Sequence, residues 1–250
     1  MEYKTGNPGL NDRTFAAVPR AAVGEERMTL QGTVNKSFLM LTVLLLTALW
    51  SWGRFFGAGG DPAAVSGLMA VGLVGGFILA LVISFKQTAA PYLALPYAAL
   101  EGLAIGGISA IFERRYPGIA IQAVGLTFGV MAVLLVAYRL RLIKVTEHFK
   151  AMVFGATGAI ALLYVVSLVL GFFHIQVPFL NDASPLGIIV SLAIIVVAAL
   201  NLVMDFDFIQ TGVERGAPRY MEWYSAFGLM VTLVWLYLEI LRVLGKARQR

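Results

Sequence analysis

Seven long runs of apolar residues, each about twenty residues long, make up most of this 250-residue chain. Twenty helical residues rise about 30 Å, which is the thickness of the hydrocarbon core of a bilayer. Only 13% of the residues are charged, whereas a soluble domain carries about 25%. Short strands of alternating hydrophobicity, which a membrane β-barrel needs, do not appear. The sequence therefore predicts an all-α polytopic membrane protein with seven transmembrane helices.

The apolar runs divide the chain into a tail, a membrane domain and a short end segment. Residues 1–33 are polar and rich in Gly, Pro and both charge signs, so we expect a mostly disordered tail there. Residues 34–245 form the membrane domain, and residues 246–250 form a short basic tail. Because the connections are short, neighbouring helices should be antiparallel. The predicted spans are 36–53, 63–85, 91–112, 119–138, 151–173, 186–209 and 222–244.

The loop charges predict the orientation of the bundle. Twelve Lys or Arg residues fall in the N-terminal tail and the even-numbered connections, and seven fall on the other side. The positive-inside rule then places the N-terminus in the cytoplasm, although seven spans leave the basic C-terminal end outside. The net charge of +5 is explained in this way, so the lipid bilayer is the expected partner and nucleic acid is not. The chain has no cysteine, which excludes disulfides and thiolate metal sites.

Glycines recur at the spacing that lets membrane helices pack closely. The pairs are Gly72 with Gly76, Gly102 with Gly106, and Gly155 with Gly158. Small residues three or four positions apart lie on one helix face and allow two backbones to approach. All three pairs therefore predict helix contacts rather than chemistry.

Six ionisable residues fall inside the predicted spans or at their edges, and each of those in the interior costs about 2.5–3.5 kcal/mol on insertion scales. Glu101 is near the middle of the third span, either as a protonated carboxyl bonded to a neighbouring helix or as a group that lines an ion path. Glu239 lies three residues before Arg242, a spacing that predicts a structural ion pair. The six are Glu101, Asp205, Asp207, Glu222, Glu239 and Arg242.

Asp205 and Asp207 stand near the end of the sixth span, two residues apart. Successive helical residues rotate by about 100°, so the two side chains point in nearly opposite directions. One aspartate can face the bundle interior while the other faces water or headgroups. We therefore expect Asp205 to face the bundle and Asp207 to mark the point where the helix meets water.

The last fifty residues resemble the Bax inhibitor-1 family, and most closely a bacterial branch of it. The segments that carry the resemblance are "MDFDFIQTG" and "YMEWYSAFGLMVTLVWLYLEILRVLG", and Glu101-Gly102 also fits. The resemblance covers about residues 30–245. It implies a seven-helix bundle with the last helix central, in a bacterial inner membrane. It also implies a pH-controlled leak of calcium or other cations, gated by two aspartates on the sixth and seventh helices.

This chain departs from the implied gate at one position. Asp205 takes the place of the sixth-helix aspartate, but the seventh-helix place, ten residues before Arg242, is Thr232. Two carboxylates held close together do not both ionise easily, which makes such a pair a proton-operated gate. With Thr232 in place, Asp205 can at most meet a hydroxyl. Asp207, Glu222 and Glu101 remain as replacement acids.

Two functions are compatible with these residues. The first is a pH-sensitive calcium or cation leak with Asp205 as gate residue and calcium ligand, Glu101 along the route, and calcium or protons as the ions. No cofactor is expected beyond calcium as a bound or transported ion. The second is a membrane regulator without transport, which binds other membrane proteins such as a protease or a stress-response partner. Enzyme activity is not expected, because His148 and His174 are the only histidines and no HExxH motif occurs.

Overall fold

The computed structural model describes residues 26–173, 180 and 182–249, and this part of the chain contains seven long helices. All seven are long and apolar enough to cross a membrane, so the predicted all-α class is confirmed. A short 3₁₀ turn, Gln87–Ala89, precedes the third helix. The helices are α1 (Leu30–Gly57), α2 (Ala63–Phe85), α3 (Ala90–Arg115), α4 (Ile119–Arg139), α5 (Glu147–Phe172), α6 (Pro185–Glu214) and α7 (Tyr220–Ala247).

Contacts between loops and helix ends define the two ends of the bundle. At the end where α1 begins, here called the N face, the Met28 N–H donates to the Ala217 carbonyl at 2.7 Å. At the opposite end, here called the far face, Arg248 donates to the Pro117 carbonyl at 2.7 Å. Arg114 donates there to the Gly59 carbonyl at 2.5 Å. Successive helices therefore run antiparallel, as the short connections predict.

Helix α7 lies at the centre of the bundle. It packs against α1, α3, α4 and α6, and Met221, Tyr224, Leu236 and Leu241 on it are fully buried. A helix that is apolar on all sides suits such a position, because every face meets another helix rather than lipid. The expectation of a central last helix is confirmed.

Helices α1, α2 and α3 pack closely through glycines. A Cβ on Gly72 of α2 would collide with the backbone of α3 at Leu100 and Ala104. Cβ atoms on Gly102 and Gly106 of α3 would collide with the backbone of α1. The prediction of close packing is therefore confirmed for these two helix contacts.

The same prediction is wrong for α5. A Cβ atom added to Gly155 or Gly158 would meet no other helix, since no heavy atom of the described residues lies within 4 Å of it apart from those of α5 itself. Helix α5 is at the edge of the bundle and packs mainly against α6. Of its residues, Lys150 and Val153 are buried. The glycine spacing alone does not show which face of a helix meets protein and which meets lipid.

The start of α1 is bound to the start of α7 through Glu222. Thr29 caps α1, and its hydroxyl accepts the Gly32 N–H at 2.9 Å. In a capping box the third helical residue supplies a carboxylate to the N–H of the cap. Here that residue is Gly32, and Glu222 of α7 supplies the carboxylate instead, accepting the Thr29 N–H at 2.8 Å and its hydroxyl at 2.9 Å. Glu222 also pairs with Lys36.

The first and last helices are longer than their predicted spans. Helix α1 begins at Leu30 and α7 ends at Ala247. Residues 1–25, most of the predicted tail, lie outside the described residues. Arg27 bridges to Pro218, and Glu26 pairs with Arg219. Lys246 belongs to α7 and is only 3% exposed. It donates to the Gly187 carbonyl and the Ser191 hydroxyl of α6. The core between α6 and α7 therefore extends further than the apolar pattern of the sequence indicates.

Two glycines of α1 give a matched test of the junction between α1 and α7. A Cβ on Gly32 would collide with the Glu222 carboxylate, whereas nothing lies within 4 Å of a Cβ on Gly53. We expect Gly32→Ala to destabilise the protein by about 1–3 kcal/mol through loss of the charged hydrogen bonds. Gly53→Ala should be neutral or stabilising by up to about 1 kcal/mol, since Ala favours helix. Thermal unfolding in detergent measures both, and equal midpoints would contradict the role of Glu222.

Candidate functional site

Asp205 lies in the interior of the bundle, on the helix with the highest mean hydropathy of the seven spans. Ser184 caps α6 by accepting the Gly187 N–H at 3.0 Å, and Pro185 follows at the first helical position, where its missing N–H costs nothing. Asp205 is 1% exposed. Asn201, one turn earlier on the same face, is also buried. The Asn201 amide donates to the Thr157 hydroxyl of α5 at 2.8 Å.

Thr232 is buried on α7, and its hydroxyl is occupied within its own helix. It donates to the Gly228 carbonyl, one turn earlier, at 3.3 Å. A hydroxyl has a single hydrogen to donate. The structure therefore shows no donation from Thr232 to Asp205, and Thr232 acts in the described structure as a residue of the α7 core.

Glu101 lies between α2 and α3. Its carboxylate is close to Gly76 of α2, since a Cβ there would stand 3.1 Å from Oε1. It also forms a side-chain hydrogen bond with Tyr97, one turn earlier on α3. This hydrogen bond lies within α3, whereas the first of the two alternatives was a bond to a neighbouring helix, so both alternatives for Glu101 stay predictions.

Asp207 and Glu222 both take part in contacts between helices near the N face. The Asp207 carboxylate is 3.2 Å from the Lys150 ammonium of α5. The Tyr138 hydroxyl of α4 lies 3.4 Å from the carboxylate and has a nearer acceptor in Gln210, at 2.9 Å. Asp207 is therefore more than a surface residue, because it connects α6 to α5 and lies close to α4. Glu222 belongs to the junction with Thr29 and Lys36.

The carboxylates do not form a metal cage. Across residues 26–173 and 182–249, no three His, Cys, Asp or Glu side chains come together to hold an ion. Calcium in proteins takes six to eight oxygen ligands. The described residues do not surround Asp205 with further carboxylates. His148 is exposed on α5, and His174 lies outside the described residues.

A second buried carboxylate occurs nearer the far face. Glu239 is 1% exposed, and Arg242 donates to its two oxygens at 2.8 and 2.9 Å, which is the ion pair that their spacing predicts. The Tyr164 hydroxyl of α5 donates to Glu239 at 2.5 Å and accepts from Arg242 at 2.6 Å. Sequence reasoning missed Tyr164. The signal was available, because Tyr164 follows Lys150 and Thr157 at intervals of seven residues.

These contacts show how α5 is attached to the bundle. Three of its side chains, Lys150, Thr157 and Tyr164, bond to α6 or α7. In a bilayer, hydrophobic burial does not drive helices together, and one interhelical hydrogen bond contributes about 0.6–2 kcal/mol. Helix α5 is therefore held by a few polar contacts and by a small apolar cluster around Ile194 of α6, whereas α1, α2 and α3 are held by close backbone packing.

The fold and the site define a polytopic helical membrane protein with several acidic side chains buried in its core. A family model described as Bax inhibitor 1 like matches residues 7–249. The chain therefore belongs to this family, over nearly its whole length. Searches of curated proteins and of solved structures find no match.

Variants of Glu239 and Arg242 test whether a buried charge that has lost its partner destabilises the protein. Glu239 is more deeply buried than Arg242. Arg242→Gln leaves a buried carboxylate without its cation, so it should lower the unfolding midpoint more than Glu239→Gln does. In the double variant neither charge is left alone, so its midpoint should lie above that of Arg242→Gln. Strictly additive losses would show that the two residues do not interact.

Proposed function

We propose that this protein is a pH-controlled cation leak pathway in a cell membrane, with Asp205 as its gate residue. The observation that supports the proposal is the burial of Asp205 on the most apolar span. An acid at such a position costs about 2.5–3.5 kcal/mol, and acids kept in spans usually serve ion or proton paths. Membership of the Bax inhibitor 1 like family agrees with this function. The N face is the cytoplasmic side in this proposal, as the loop charges indicate.

The pH dependence follows from the charge that Asp205 carries. A carboxylate attracts a cation when it is ionised and loses that attraction when it is protonated. Cation flux should therefore rise as the pH increases through the range in which Asp205 releases its proton. Calcium is the first ion to test, because carboxylate and amide oxygens are the ligands it prefers.

The experiment is calcium flux into liposomes that hold the purified protein, from about pH 6 to about pH 8. The wild type should show flux that increases with pH. Asp205→Asn keeps the side-chain shape and removes the charge, so the flux should fall roughly tenfold and lose its pH dependence. Glu214→Gln, an exposed change on the same helix, is the matched control and should behave as wild type. Flux no greater than in empty vesicles, or flux unchanged in Asp205→Asn, would refute the proposal.

The anchored start of α1 supports a second candidate, a regulator that binds other membrane proteins. Residues 26–29 are bound to the loop between α6 and α7 and to Glu222. A partner that holds the residues before Glu26 would therefore act directly on the start of the central helix.

A deletion separates this candidate from the leak pathway. Removing residues 2–25 leaves the contacts of Glu26, Met28 and Thr29 in place. The regulator hypothesis predicts that specific co-purifying membrane proteins disappear while liposome flux is unchanged. Retention of every partner by the shortened protein would contradict it.

A further inference from the structure

Three polar residues of α5 lie on one face of the helix and contact the rest of the bundle at three depths. Lys150, Thr157 and Tyr164 are seven residues apart, a separation that returns to nearly the same face and rises about 10.5 Å each time. Their partners are Asp207, Asn201 and Glu239 with Arg242. We call this set of contacts the α5 seam. It extends from near the N face to near the far face.

The α5 seam is a line of polar side chains that crosses the membrane region of the bundle. Asp205 stands one turn from Asn201 on the same face of α6. Asp207 lies towards the N face and Glu239 towards the far face. Along the seam a cation would therefore meet carboxylate, amide and hydroxyl oxygens at successive depths, which are the ligands of a hard cation.

A cavity elsewhere in the bundle is a poorer route. A crevice of about 360 Å³ lies between α1 and α4, with α3 and α7 behind it. Its walls are almost wholly apolar side chains such as Leu45, Ile105 and Val124. The one acid in it, Glu113, already accepts the N–H groups of Gly118 and Ala120 at the start of α4.

We propose that the α5 seam is the path of cations through this protein, with Glu239 as a second carboxylate on it, and that it opens when α5 moves away from α6 and α7. This inference rests on the leak function proposed above. In the closed structure, Lys150 and Arg242 neutralise Asp207 and Glu239. Both cations are near the ends of spans, so long side chains can carry their charges to the headgroups when α5 moves. The two carboxylates are then free to attract a cation.

The charged and titratable groups around Glu239 agree with this closed state. Arg242 on α7 and Tyr164 on α5 contact it directly. Lys246 on α7 lies within electrostatic range of Glu239, and Asp182 before α6 lies within range of Lys246. Lys246 is bonded to Gly187 and Ser191 of α6. The cations around Glu239 therefore keep other cations out while the seam is closed.

A reversible cross-link tests whether α5 must move. The chain contains no cysteine, so Thr157→Cys with Asn201→Cys gives a unique pair at the centre of the seam. A short membrane-permeant bis-methanethiosulfonate joins the two helices, and a reductant releases them. We expect the reduced double variant to conduct less than wild type, since two oxygen ligands of the seam are lost, and we expect cross-linking to abolish its flux and reduction to restore it. Equal flux in the cross-linked and reduced protein would overturn the proposal.

Two tyrosines provide a matched pair of single variants. Tyr164→Phe removes one contact of the seam, and Tyr237→Phe removes a buried hydrogen bond of 2.6 Å to Ser109 on α3, away from the seam. Tyr164→Phe should raise flux roughly eightfold, the population shift expected when two average interhelical hydrogen bonds of about 0.6 kcal/mol each are lost. Tyr237→Phe should leave flux unchanged. Equal effects of the two would contradict the seam.

The outcomes separate this inference from the function on which it rests. Flux that depends on Asp205 but not on the cross-link means that the leak exists and runs elsewhere, which overturns the seam alone. No flux from any variant overturns both. Flux that is lost on cross-linking and in Asp205→Asn supports both.

Discussion

A polar side chain inside a bilayer must find its partner within the protein, because the lipid offers none. The charged residues of this bundle follow that constraint. Glu222 is bonded to the start of α1, Asp207 to α5, and Glu239 to Arg242 and α5. These contacts connect helices that are distant in sequence. All three acids are on α6 or α7, and two of them, Asp207 and Glu239, contact α5. The polar groups therefore determine how the peripheral helices attach to the central one.

The bundle consists of two parts that are held together differently. Helices α1, α2 and α3 approach closely at Gly72, Gly102 and Gly106, where no side chain could be added without displacing backbone. Few side chains of helix α5 are fully buried, and the helix is attached by its seam contacts and by a small apolar cluster around Ile194 of α6. Close backbone packing resists small displacements, whereas a few hydrogen bonds can break and re-form. A moving part in this fold is therefore expected at α5.

The sequence predicted the features that depend on one helix at a time. Runs of apolar residues predicted all seven spans, and the spacing of Glu239 and Arg242 predicted their ion pair. Features that depend on which helix faces which were missed. Glu222 completes the cap of α1 from 193 residues away, and the glycines of α5 face away from the described protein. Helical periodicity shows which residues share a face, but not what lies opposite that face.

The central claim is that α5 separates from the bundle when the protein conducts. Spin labels on exposed cysteines at Leu162→Cys of α5 and Ile189→Cys of α6 would report this separation by pulsed electron resonance in liposomes. A pair at Leu46→Cys and Val74→Cys would report on α1 and α2, both of which pack closely against α3. Raising the pH should shift the first distance to longer values as calcium flux rises, and it should leave the second distance unchanged. A first distance that stays constant while calcium flux rises would show that α5 does not separate from the bundle.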